Sequence, residues 1–95
     1  MRRASIRLQI AKAISTVFPM GKLSFTNVRR YVTRDLLTHF NIRRDTPISD
    51  TDWLIAIQVA REERVARQRD GLFPGQLPSD DRLLKFINSL DSDSS

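Results

Sequence analysis

A small all-α domain of four helices, with a helix-turn-helix-like pair near the N-terminus, is the fold the sequence predicts. Three observations lead there. In residues 24–40, Phe25, Val28, Val32, Leu36 and Phe40 recur at spacings of three and four, the repeat of one helical face. Serines stand directly before three such runs, at Ser24, Ser49 and Ser79, where a side-chain oxygen can accept from an orphan amide. Proline and glycine punctuate the chain between runs, at Pro19, Gly21, Gly71 and the Pro74-Gly75 pair.

The first helix is expected over residues 4–18. Ile6, Ile10, Ala13, Ile14 and Val17 make its apolar stripe, and Arg7, Lys12 and Ser15 take the outer face. Pro19 lacks an amide hydrogen and Gly21 permits left-handed dihedrals, so the helix stops there. The second helix is expected over residues 25–40, capped by Ser24 or Thr26 and closed by Asn41. Five residues of turn between two helices are close to the helix-turn-helix plan. Residues 41–48 form a loop. The third helix is expected over residues 50–69, opened by a capping box between Ser49 and Asp52. Trp53, Leu54, Ile57 and Ala60 supply its stripe, while the charged end from Arg61 reads as a solvated helix terminus with Gly71 as its stop. Arg61, Arg64, Arg67 and Arg69 offer a second basic surface as the alternative. Residues 72–78 read as a turn-rich linker pinned by Phe73 and Leu77. The last helix is expected over residues 80–90, with Leu83, Leu84, Ile87 and Leu90 inward.

Ninety-five residues suit a single domain, 1–90, followed by an acidic tail, 91–95, too polar to pack and expected to be disordered. No run approaches the roughly 18 apolar residues of a membrane span. Arg7, Gln9 and Lys12 interrupt any secretory apolar core, so the expected location is intracellular, cytoplasmic, nucleoid or nuclear, and not secreted. The acid-free, Arg- and Ser-containing start also fits a targeting segment, although its apolar repeat runs on as if it belongs to the core.

Charge is distributed unevenly. Residues 1–45 hold ten Lys/Arg against two acids, and residues 46–95 hold six against nine, so +8 and −3 give the net +5. Concentrated positive charge is the footprint of a polyanion binder. The candidate nucleic-acid-binding residues are Arg2, Arg3, Lys22, Thr26, Asn27, Arg29, Arg30, Arg34, Arg43 and Arg44. Lys22, Arg43, Arg44 and the Arg2–Arg3 arm would neutralise phosphates. The second helix would bring Arg29, Arg30 and Arg34, with Thr26 and Asn27, to a groove, because Asn suits adenine edges and Arg guanine edges. DNA is expected over RNA. RNA readers often use aromatic stacking platforms, and here only Tyr31 among the aromatics falls clearly outside core-type positions. A homodimer through the third or fourth helix is the expected assembly.

Catalysis is not expected. With no cysteine and a single histidine, His39, thiolate chemistry and transition-metal ligation lack their groups. His39 is expected to be partly buried. Three glycines form no phosphate-cradling loop, and the Asp pairs at 50/52 and 80/81 sit at helix starts where capping accounts for them. No cofactor or metal is expected. The alternative to nucleic acid is an interaction adaptor or inhibitor whose basic face docks an acidic protein.

Overall fold

A computed structural model describes residues 3–71 and 79–93. Arg2 and the 72–78 linker, including Phe73 and Leu77, lie outside the described residues. The chain is mostly helical, with no strand among the described residues, as expected. The described residues form five helices rather than four: α1 Arg3–Val17, α2 Phe25–Tyr31, α3 Arg34–Thr38, α4 Asp50–Arg69 and α5 Asp80–Asp93. No helix is long and apolar enough to cross a membrane among the described residues.

The extra helix comes from a break inside the expected 25–40 segment. Val32 leaves the helical region (φ −91°, ψ 85°) and Thr33 is extended (φ −84°, ψ 166°). The Thr33 hydroxyl accepts the Leu36 amide at 3.2 Å and caps a new helix. Tyr31, Val32 and Thr33 are poor helix formers in a row, and a threonine that can cap competes with a threonine that continues. The break turns the following residues. Leu37 becomes fully buried and Leu36 only half-buried, where an unbroken helix would have buried Leu36. Asn41 closes α3 with φ 64°; the Ile42 amide donates back to the Leu37 carbonyl at 3.1 Å, and both side chains are buried. This is the left-handed cap that Asn tolerates. Thr33→Ala removes the cap and is expected to cost about 1 kcal/mol in a urea melt. No loss at all would mean that the α2–α3 break is held by packing alone.

The core sits where α1, α4 and α5 meet, with α3 closing on α1 and α2 on α4. Ile10, Ile14, Val28, Leu37, Ile42, Val59, Leu83 and Ile87 are enclosed there. Because α1 touches three neighbours, it is buried on more than the expected stripe. Leu8 and Ala11 are inside, and so is Ser15, which the periodicity placed outside. His39, expected to be partly buried, is exposed. α5 continues to Asp93, past the expected end at 90, since no Pro or Gly between 88 and 93 stops it.

The start of α4 carries the capping box. The Ser49 hydroxyl accepts the Asp52 amide at 3.1 Å and the Asp52 carboxylate accepts the Ser49 amide at 3.0 Å. That carboxylate is completely buried and also accepts from Arg3 Nη1 at 2.7 Å and Arg7 Nε at 2.8 Å. Burial alone would raise its pKa, but the Ser49 amide, Arg7, the Ser49 side chain and Arg3 outweigh burial and hold it below the usual carboxylate range. One aspartate thus fixes the start of α4 and the start of α1 together.

The far end of α4 is not the solvated terminus the charges suggested. Glu63 and Arg67 are buried, with Arg67 Nε donating to Glu63 Oε1 at 3.1 Å. From α5, Arg82 Nε lies 2.7 Å from Glu63 Oε2, an ion pair off the hydrogen-bond line, and Arg82 Nη2 donates to Asp70 at 3.0 Å. With Lys12 and Asp80 paired at 3.1 Å, these contacts clamp α5 onto α4 and α1.

Candidate nucleic-acid interface

α2 has two sides set by its seven residues. Phe25 and Val28 turn inward. Arg29 follows them: its guanidinium lies over the Phe25 ring at 5.5 Å and the Trp53 ring at 5.0 Å, and pairs with Asp50 at 3.4 Å. Thr26, Asn27, Arg30 and Tyr31 are all exposed on the remaining side. Ser24 orients the helix by accepting the Asn27 amide at 3.1 Å.

The loop feeding α2 is clasped from beneath by α4. Arg61 donates to the Leu23 carbonyl, and Arg64 donates to those of Gly21 and Phe18. Burial, and secondarily the Arg67 charge, lower the Arg64 pKa from its ordinary value, yet an arginine stays protonated in a protein. Gly21 adopts φ 96°, a left-handed conformation that glycine supplies at the turn of this loop. Arg61 and Arg64 are thus neither solvated helix-end charge nor a second basic surface. Their job of bonding loop carbonyls leaves no periodic trace, because the acceptors are backbone atoms 38 to 46 residues away.

The ten candidate residues separate into three sets. Arg2 lies outside the described residues. Lys22, Thr26, Asn27 and Arg30 come together on or beside the outer side of α2, and neither Lys22 nor Arg30 has an acidic partner among the described residues. Arg34 is first in α3, beyond the break; it is half-buried, with Nη1 enclosed and meeting no acceptor among the described residues. The remaining four bases are engaged by the chain's own acids. Arg3 serves Asp52 and the Pro47 carbonyl (3.3 Å), and Arg29 is stacked as described. Arg43 pairs with Asp45 at 3.5 Å, and Arg44 pairs with Asp35. The pairs of Arg43 and Arg44 have both partners more than two-thirds exposed, so they exchange readily with other anions.

Among the described residues no group of three or more His, Cys, Asp or Glu side chains converges as a metal site would require. No family model matches the chain, and no curated protein or solved structure is significantly similar to it.

Proposed function

We propose that this chain is a non-enzymatic nucleic-acid-binding protein of regulatory or accessory type that uses the outer side of α2 and the loop before it. The observation carrying this reading is that Lys22 and Arg30, without acidic partners among the described residues, lie beside exposed Thr26 and Asn27 on a helix capped by Ser24 and the loop that Arg61 and Arg64 bond. Cations without a local counter-ion are the ones that gain by meeting phosphate, because they release condensed counter-ions and lose no internal pair. Duplex DNA is the ligand of choice. Asn27 and Arg30 are three residues apart on a short helix, near enough to address neighbouring base edges while Lys22 meets the backbone. Arg43 and Arg44 extend the contact by leaving Asp45 and Asp35 for phosphates.

The test is a titration of labelled duplex DNA, single-stranded DNA and RNA at low salt, with the wild type and Arg30→Ala. The wild type is expected to bind duplex most tightly and Arg30→Ala about tenfold more weakly, with unchanged helicity. Absence of binding to all three polymers would overturn the reading and leave the acidic-protein adaptor in its place.

A further inference from the structure

Among the described residues one aromatic side chain stands apart from the others. Phe25, Phe40 and Phe86 pack against the core and Trp53 is buried in it. Tyr31 is 55 % exposed and closes the outer side of α2. Its ring has an aromatic neighbour. It meets Phe18 edge-to-face, with ring centroids 6.0 Å apart and planes at 72°. Phe18 is held in turn, since its amide donates to the Ile14 carbonyl at 2.8 Å and its own carbonyl accepts from Arg64. Met20, two residues on from Phe18, is 70 % exposed. Tyr31 thus leaves more than half of its surface to solvent, next in sequence to Arg30, which like Lys22 has no acidic partner among the described residues.

An aromatic ring this exposed can offer a face to a ligand. What the face offers is a flat π surface beside phosphate-binding charge, the two components of a base-stacking platform. Every base presents such a π surface once it is unpaired, whereas bases inside a duplex are already stacked on their neighbours. Tyr31 is one helical turn beyond Asn27 and on the same side, so a duplex seated against Thr26, Asn27 and Arg30 meets Tyr31 at its margin rather than at its centre.

We infer that Tyr31 stacks an unpaired base, so that the preferred ligand is DNA in which a duplex is continued by a short single strand. The inference rests on the nucleic-acid reading above and adds the class of ligand to it. Lys22 and Arg30 take the phosphates flanking the junction, and the first unpaired base lies on the exposed ring of Tyr31. An acidic protein would also meet these cations, but it has no need of a planar partner for the ring.

The experiment compares three ligands of equal phosphate count by fluorescence anisotropy: a blunt duplex, a duplex with a three-nucleotide overhang, and a single strand. Each is titrated with the wild type, Tyr31→Ala, Tyr31→Phe and Arg30→Ala, after circular dichroism has verified equal helicity. The wild type is expected to bind the overhang duplex about tenfold more tightly than the blunt one. Tyr31→Phe keeps that ratio because it keeps the ring; Tyr31→Ala brings it close to one; Arg30→Ala weakens all three ligands and leaves the ratio in place. An equal affinity of the wild type for blunt and overhang duplexes overturns the inference while the nucleic-acid reading stands. So does a ratio that survives in Tyr31→Ala. Failure of the wild type to bind any of the three overturns both.

Discussion

Asp52→Ala is expected to lower the unfolding free energy by about 3–5 kcal/mol, the range for breaking a buried ion pair by removing one partner. Asp52 is fully enclosed and its carboxylate holds Arg7, itself only 13 % exposed, together with Arg3 and the Ser49 amide. Without the carboxylate, Arg7 loses the Asp52 charge while still largely enclosed, and the α4 cap loses half of its reciprocal pair. Arg3 is 55 % exposed and rehydrates, so its loss adds little. The same carboxylate makes stability depend on pH. Its pKa in the folded chain lies below the unfolded value of about 3.9. Its contribution is therefore complete above that unfolded value and is lost as pH falls from there through the folded pKa. Urea melts of the wild type between pH 7 and pH 2 should show that loss, and Asp52→Asn should lack this component. Identical acid profiles for the two proteins would show that Asp52 is not the group responsible.

Glu63→Ala is expected to destabilise by a similar amount, about 3–5 kcal/mol, for a different structural reason. Arg67 is 7 % exposed and its Nε donates to Glu63, so the substitution leaves a buried guanidinium with no paired anion among the described residues. Arg82 suffers less because Asp70 still pairs with it at 3.0 Å. The physics also predicts the converse. Glu63→Met combined with Arg67→Met removes both charges and fills the space with apolar side chains, and is expected to fall near the wild type or above it, because the desolvation cost of both ions disappears. Urea melts of the single and double variants check this. A double variant as unstable as Glu63→Ala would mean that the network sets the α4–α5 geometry rather than merely satisfying itself.

Both residues show where sequence reading stops. Helix existence was legible from periodicity, and so were several ends: Ser24, Ser49 and Ser79 cap helices, and Gly71 and Asn41 take the left-handed conformations that end them. These are local choices, made by a residue and its neighbours three or four positions away. The Val32–Thr33 break was written in the same language but was hidden by an apolar repeat that runs across it. The buried charges were not legible. Asp52 read as a cap and proved to be a cap, yet its bonds to Arg3 and Arg7 span 49 and 45 residues. Glu63 and Arg67 read as an exposed pair because nothing local reveals that Arg82 arrives from α5. Charge was similarly half legible in the candidate interface. An excess of base over acid in residues 1–45 is a property of composition. Which bases are free is a property of packing, and Arg3, Arg29, Arg43 and Arg44 are answered by Asp52, Asp50, Asp45 and Asp35. The footprint that remains is smaller and more sharply placed than the sequence implied.

The dependence of DNA affinity on salt tests the central claim most directly, because it counts phosphates rather than assuming them. Lys22, Arg30 and Arg34, which have no acidic partner among the described residues, correspond to a slope of log K against log salt of about −2.7, steepening towards about −4.5 as Arg43 and Arg44 leave their carboxylates for phosphate. Lys22→Ala combined with Arg30→Ala should flatten the wild-type slope by about 1.8. A wild-type slope near zero, or a slope that the double variant leaves unchanged, would contradict the assignment of nucleic-acid binding to the outer side of α2.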